Sequence, residues 1–229
     1  MHVLAFDTTT TACSVSVCQN GTVLFHHTKT MVRGQSEALI PMILDGLYSA
    51  QVAFQQLERI AVTVGPGSFT GVRIGLAAAR ALGLAADIPI LGLTSTEVLA
   101  HAVPKMERKP VNQPSRNTVV AIDAKRSDVY VQVFDPDLNS IQKAAAVTPR
   151  DFAKEVGAAP NVLIGDGAQL IFQHLSKKNT ILSSGAPQPD TRVLARLATS
   201  LPLPNGPPRP LYIRPPDAII PTDGGRLRP

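Results

Sequence analysis

The sequence predicts a two-lobed α/β fold made by duplicating one plan, and three observations carry that expectation. Residues 5–17, AFDTTTTACSVSV, align without gaps on residues 121–133, AIDAKRSDVYVQV. In each copy an apolar strand ends in an aspartate, Asp7 or Asp123, and a short polar turn follows. An alternating strand then returns with Val15 and Val17, or Val131 and Val133, on one face. The second observation is the β-branched run 60–64, which feeds a glycine-rich turn that opens an alanine-rich helix. The third is quantity: 229 residues with 44% hydrophobic content supply two small lobes with cores of their own.

Taken in order, the chain starts directly in a strand ending at Phe6, followed by the returning strand and a third strand over 23–28. A helix from about Ser36 comes next, with Leu39, Ile40, Ile43, Leu44 and Leu47 at helical spacing and Pro41 removing one helical hydrogen bond. Strand 60–64, helix 70–86, strand 88–93 and a helix from Ser95 complete the first lobe, the last helix carrying a capping box in Thr94 and Glu97. A polar, proline-containing stretch joins the lobes. The second lobe has strands 119–123 and 129–135, a helix opened by Thr148 and Pro149, strand 162–164, the turn Gly165-Asp166-Gly167 and a helix around 191–200. Nine prolines in the last 28 residues exclude regular helix and central strand there. That tail is expected to lie extended on the surface, anchored by Tyr212, with 223–229 disordered. The boundaries so drawn are lobe 1–103, linker 104–117, lobe 118–201 and tail 202–229.

The segment 60–75, IAVTVGPGSFTGVRIG, is the most informative in the chain. Gly65, Gly67 and Gly71 let the backbone take positive φ and approach a neighbour closely, while N–H groups at the helix start face an anion or a partner's acceptor, so the turn reads as a binding loop. The spacing is neither that of a Walker loop nor of a dinucleotide fingerprint. Ser68 follows Gly67 directly, so no hydrolase elbow forms around it. Gly71, Gly75 and Ala79 fall at i, i+4 and i+8 and leave a strip of nearly bare backbone, with Leu76, Leu82 and Ala86 extending the apolar surface. Each helical glycine costs about 1 kcal/mol against alanine, so something is gained from close approach. Two readings stay open: another helix packs there, or the strip packs on its own sheet.

An aspartate at a strand end beside threonine hydroxyls is where actin-like and sugar-kinase-like ATPases hold phosphate and Mg²⁺. Those enzymes use a glycine in the turn, and Thr8-Thr9-Thr10-Thr11 and Ala124-Lys125-Arg126-Ser127 have none. A nucleotide site at Asp7, Thr8, Gly65, Gly67, Ser68 and Thr70 is therefore expected to be degenerate. Residues 6–15, FDTTTTACSV, the segment 65–75, Ile122-Asp123-Ala124 through Val129-Tyr130, and Leu211-Tyr212-Ile213-Arg214 fall in an order that resembles the TsaB (YeaZ-like) family, accessory subunits of bacterial tRNA threonylcarbamoyladenosine synthesis. The resemblance spans nearly the whole chain, and its glycine segment is the specific part.

The resemblance implies an actin-like fold and a non-catalytic paralogue of the transferase subunit TsaD, which handles threonylcarbamoyl adenylate and adenosine 37 of tRNA. It implies a heterodimer with TsaD, a TsaE-like ATPase in the larger complex, a homodimer when alone, tRNA reached through the complex, and no cofactor or metal. TsaD uses metal-binding histidines at His-x-x-x-His spacing; the corresponding helix here, 35–47, has none. The resemblance also implies that this helix and the Gly71 helix form the TsaD interface, through Leu39, Ile40, Ile43, Leu44, Leu47, Gly71, Arg73, Gly75, Leu76 and Ala79. The spacing of the leucines and isoleucines alone reads equally as core.

Other chemistry is weaker. Cys13, Cys18, His26 and His27 match no metal-ligand spacing, and His2, His101 and His174 are scattered singly. Asp7 and Asp123 either pair across the lobes or cap their own turns. Net charge +5 is compatible with an RNA-bound assembly, though Lys105, Arg108, Lys109 and Arg116 flank a loop that is solvated in any case, with no aromatic stacking platform nearby. No leader-like segment and no apolar run of roughly 20 residues is seen, and two cysteines form no disulfide framework, so a cytoplasmic protein is expected. The competing classes are a relic peptidase-like or nucleotide-hydrolysing enzyme acting at Asp7 and the Gly65 loop, and a stand-alone homodimeric binding module.

Overall fold

The computed structural model describes residues 1–156, 159–175, 178–203 and 206–214. Ten strands and seven helices among them build two five-stranded mixed sheets. The first comprises β1 (His2–Asp7), β2 (Ala12–Gln19), β3 (Thr22–Thr30), β4 (Leu57–Thr63) and β5 (Ile90–Leu93) in the order β3-β2-β1-β4-β5. The second comprises β6 (Asn117–Asp123), β7 (Val129–Phe134), β8 (Ala145–Val147), β9 (Asn161–Ile164) and β10 (Thr180–Leu182) in the order β10-β9-β6-β7-β8. Read from the opposite edge, the second order repeats the first, so the duplication holds for the entire sheet plan. The central strands β1 and β2 are buried on both faces, which explains their unbroken apolar and small-residue runs.

Helices α1 (Gln35–Ser49) and α2 (Phe69–Ala86) cover one face of the first sheet, on a core of Leu4, Phe6, Val15, Ile60 and Val62. Helix α1 starts at Gly34, whose φ of 97° lies in the left-handed region that favours glycine. Helix α2 is capped by the Ser68 hydroxyl, which accepts from the Gly71 N–H at 3.2 Å. Helix α3 (Ser95–Ala102) opens with the expected capping box, Thr94 Oγ1 accepting from the Glu97 N–H and the Glu97 carboxylate from the Thr94 N–H.

The order of the chain is not the order of the packing. Helix α3 belongs by sequence to the first lobe, yet Leu99, Ala100 and Val103 pack under Val120, Ile122 and Val162 of the second sheet. Helix α7 (Thr191–Ser200) does the reverse, its Val193, Leu194, Ala195 and Ala198 closing the other face of the first sheet on Val3, Ala5 and Ala61. The packing thus crosses the boundaries drawn at 103 and 118: α3 bridges both sheets, its Val98 staying on the first-sheet core, and α7 docks on the first sheet. The stretch 104–117 is likewise more than a linker, since it holds α4 (Lys105–Arg108). Helices α5 (Pro149–Val156) and α6 (Ala168–Phe172) cover the second sheet on Val119, Ala121 and Leu163. Of the tail, 206–214 runs without helix or strand as expected, and the expectation for 223–229 lies outside the described residues.

The ungapped echo needs a correction. Asp7 stands opposite Ser14, with residues 8–13 between them, whereas Asp123 stands opposite Val129, with 124–128 between. The second turn is one residue shorter. Because side chains alternate along a strand, one residue decides the face. Cys13, Val15 and Val17 do match Val129, Val131 and Val133, all lying beneath the crossover helices, but Leu4 and Phe6 share that face with Val119 and Ala121. Asp7 and Asp123 therefore leave their sheets on opposite sides.

Candidate functional site

A cleft of about 630 Å³ opens between the lobes, lined by Thr9, Thr10, Thr11, Gly67, Ser68 and Phe69 from the first and by Asp123, Lys125, Arg126, Tyr130 and Asp166 from the second. Residues 211–214 form its remaining wall. Gly67 and Ser68 are the two residues of the expected degenerate site that line it. Asp7 and Thr8 lie buried beneath it, and Thr70 is exposed outside it.

Asp7 is held by hydroxyls of its own lobe. Its Oδ1 accepts from Thr63 Oγ1 at 2.5 Å, from Thr9 Oγ1 at 2.6 Å and from the Thr9 N–H at 3.1 Å, while Oδ2 has no hydrogen-bond partner. Full burial pushes its pKa up from the ordinary 3.8, and the bonds from Thr63 and Thr9 only partly oppose that. Asp123 is placed differently: Lys125 Nζ donates to its Oδ2 at 2.9 Å and lies 3.4 Å from Asp166 Oδ2. The carboxylates brought together are thus Asp123 and Asp166, not Asp7 and Asp123. Asp166 Oδ1 accepts from the Asp123 N–H at 2.8 Å. Burial raises the Asp166 pKa, against the pull of that N–H and of Lys125. Burial works against the Lys125 ammonium, but the bond to Asp123 and the fields of both acids outweigh it and raise its pKa. Lys125 takes φ 58°, a left-handed conformation that favours glycine, in a turn that has no glycine. The sequence flagged the Gly165-Asp166-Gly167 turn without a chemical role; a carboxylate between two glycines at a strand end was the available signal.

The glycine segment does make close contacts, all of them internal. The Thr8 hydroxyl donates to the Gly71 carbonyl at 2.7 Å, and the Ser68 N–H donates to the Thr9 carbonyl at 2.7 Å. A Cβ at Gly71 would collide with the Thr8 carbonyl oxygen, and one at Gly75 would lie 2.9 Å from Thr8 Oγ1 and 3.3 Å from Val62 Cγ2. The strip Gly71, Gly75, Ala79 is therefore the seam between α2 and its own sheet, which decides between the two readings. Leu39, Ile43, Leu47 and Leu76 are also core. Of the ten residues expected at a partner interface, these seven are withdrawn as surface; Ile40, Leu44 and Arg73 remain exposed.

What stays uncovered is the outer side of the same two helices. Ile40, Leu44 and Tyr48 of α1 are 42%, 61% and 87% exposed, and Leu84 of α2 is 86% exposed, with Pro41, Ala77 and Ala81 exposed beside them. These are large apolar side chains left in contact with water on two neighbouring helices. Helix α2 meets the length and apolarity of a membrane span, the one such helix among the described residues, but its small-residue face is fixed on the turn after β1 and on β4. Cys13 and Cys18 are free, buried on opposite faces of β2, and burial pushes each thiol up to about 11, so they share no ion. The basic loop is turned on its own chain: Arg108 donates to the carbonyls of Val103 and Pro136, Lys109 pairs with Asp137, and Arg116 donates to the Glu107 carbonyl.

Residues 25–194 match the family model of TsaD, tRNA N6-adenosine threonylcarbamoyltransferase. Over 141 residues the chain is 33% identical to the tRNA threonylcarbamoyladenosine biosynthesis protein TsaB of Escherichia coli (strain K12), a match that covers 62% of this chain and 58% of that relative. Its matches to same-named proteins of Haemophilus influenzae and Buchnera aphidicola span 52% and 58% of their lengths, so the chain spans little more than half of these curated relatives. Among solved structures it is similar to YeaZ from Pseudomonas aeruginosa, with a TM-score of 0.71 at 27% identity over 86% of this chain and 90% of that one. The activator of 2-hydroxyisocaproyl-CoA dehydratase from Clostridium difficile, solved with bound ADPNP, shares the fold alone, with a TM-score of 0.51 at 11% identity over 86% of this chain and 94% of that one. The architecture is the duplicated, two-lobed actin-like fold.

Proposed function

This chain belongs to the TsaB/YeaZ branch of the tRNA N6-adenosine threonylcarbamoyltransferase family, and on that premise we propose that it serves tRNA N6-threonylcarbamoyladenosine biosynthesis as a non-catalytic subunit that binds and activates the transferase TsaD. The observation that carries the partner reading is the apolar outer side of α1 and α2, with Ile40, Leu44, Tyr48 and Leu84 facing out from helices whose inner sides are already packed. Burying what these four side chains still expose contributes on the order of 4–8 kcal/mol before the costs of association are counted. Arg73, exposed on α2, lies at one end of this surface. The same surface accounts for a homodimer of the chain when TsaD is absent. The TsaE-like ATPase and tRNA would join through the heterodimer.

The cleft supports the non-catalytic half of the reading. The strand-end acids are bonded from within the chain, Asp7 beneath the cleft through its Oδ1 to Thr9 and Thr63, and the Asp123–Asp166 pair in the cleft to Lys125. The start of α2 is docked on the Thr8–Thr9 turn, where an ATPase of this fold leaves room for phosphate. TsaD then handles threonylcarbamoyl adenylate and adenosine 37. The test is transfer itself: modified adenosine in tRNA, measured by mass spectrometry with this chain alone, TsaD alone and both together. The reading expects product from the pair and none from this chain by itself. Transfer by this chain alone would overturn it.

A further inference from the structure

Residues 208–214 cross from one lobe to the other at the mouth of the cleft. On the first lobe Arg80 Nη2 donates to the Pro208 carbonyl at 2.7 Å, and the Leu211 N–H donates to the Val64 carbonyl at 2.7 Å. The Leu211 side chain packs on the core beneath α1 and α2. Tyr212 then lies against Phe69, with ring centroids 5.2 Å apart, and its hydroxyl accepts from Arg73 Nε at 3.0 Å. The Arg73 guanidinium in turn covers the Phe69 ring, 3.6 Å from its centroid. Two residues further on, the Arg214 guanidinium pairs with Asp128 in the β6–β7 turn of the second lobe, and both side chains are about three-quarters buried.

We propose that residues 208–214 are a clasp that holds the two lobes at a fixed opening, with Arg214–Asp128 as its hook. Leu211, Tyr212, Ile213 and Arg214 form one wall of the cleft, so the clasp also sets the width of that cavity. Apart from it, among the described residues the chain passes between the lobes near α4 and ahead of α7, at the side where α3 and α7 exchange. A contact at the mouth therefore has the longer lever on opening. The hook is an ion pair between two lobes, while the other anchors lie within the first lobe, so it is the first connection to fail when the lobes separate. Release also uncouples Tyr212 from Arg73, which sits on α2. The width of the cleft and the start of α2 then move together.

The experiment is hydrogen exchange by mass spectrometry on the full chain, comparing the wild type with Arg214→Ala and with the charge-exchanged pair Asp128→Arg, Arg214→Asp. In Arg214→Ala, amides of the 8–11 turn and of 65–73, which Arg214 does not touch, are expected to exchange about fivefold faster, the size expected for losing a partly buried ion pair. The exchanged pair is expected to restore protection. Acceleration confined to residues flanking 128 and 214, or no restoration by the exchanged pair, would overturn the clasp. Tyr212→Phe, which removes a single hydroxyl, keeps the test open should Arg214→Ala fold poorly. It is expected to loosen 124–128 across the cleft as well as 69–73, and an effect limited to 69–73 contradicts the proposal.

Discussion

The buried aspartate at the end of β1 is held by hydroxyls of its own lobe. Oδ1 of Asp7 takes three hydrogen bonds and Oδ2 takes none, at full burial. Its pKa is raised in the fold, so the folded state holds the proton more tightly than the unfolded chain does. The cost of ionising it is absent below the unfolded value near 3.8, grows as pH rises above that value, and levels off once the folded value is passed. Asp7→Asn keeps an oxygen for Thr63 and Thr9 and carries no charge. It is therefore predicted to melt at least as high as the wild type at pH 7, and to lose the gain that the wild type shows on acidification from pH 7 towards pH 4. Thermal melts across that range check it; a variant much less stable at pH 7 than at pH 4 contradicts the assignment. The neighbouring lesson concerns Lys125. A sequence shows that a turn lacks glycine, but not that the residue taking the left-handed position will lay its ammonium between two acids on different elements.

At the scale of elements, α2 separates what the sequence could decide from what it could not. Its approximate bounds and the need for close approach along Gly71, Gly75 and Ala79 follow from local rules, while the Ser68 cap was not read from the sequence. Which neighbour approaches is a tertiary fact, settled by the Thr8–Thr9 turn and Val62 meeting the glycines. Gly75→Leu is accordingly predicted to destabilise the isolated chain by roughly 1–3 kcal/mol or more through overpacking, read as a lower melting temperature by circular dichroism. An unchanged melt would contradict the seam. In α1 the periodicity marked Leu39, Ile40, Ile43, Leu44 and Leu47 as one stripe, which is wider than the core face, and burial alone divides it. The elements missed outright, β8, β10, α4 and α6, have three to five residues each, too few to show a period. Substitutions on the outer side should behave oppositely: Leu44→Asp or Leu84→Asp is predicted to shift the stability of the chain by less than about 0.5 kcal/mol, since each side chain already faces water. A loss of several kcal/mol in urea unfolding would show that these residues are not surface.

For the whole molecule, duplication was legible because it repeats a hairpin, while the exchange of α3 and α7 between lobes was not, because each helix is amphipathic by the same rules wherever it docks. That exchange joins the lobes on one side, residues 208–214 join them at the mouth, and the partner surface lies on the outer side of α1 and α2, meeting residues 208–214 at Arg73. The central claim is that this outer surface, and not the cleft, is how the chain acts. It is tested most directly by the double variant Leu44→Asp, Leu84→Asp, first shown by circular dichroism to fold like the wild type and then added to TsaD with tRNA while modified adenosine is measured. The account predicts loss of co-elution with TsaD and at least a tenfold loss of stimulated turnover. Full stimulation by the well-folded double variant would contradict it.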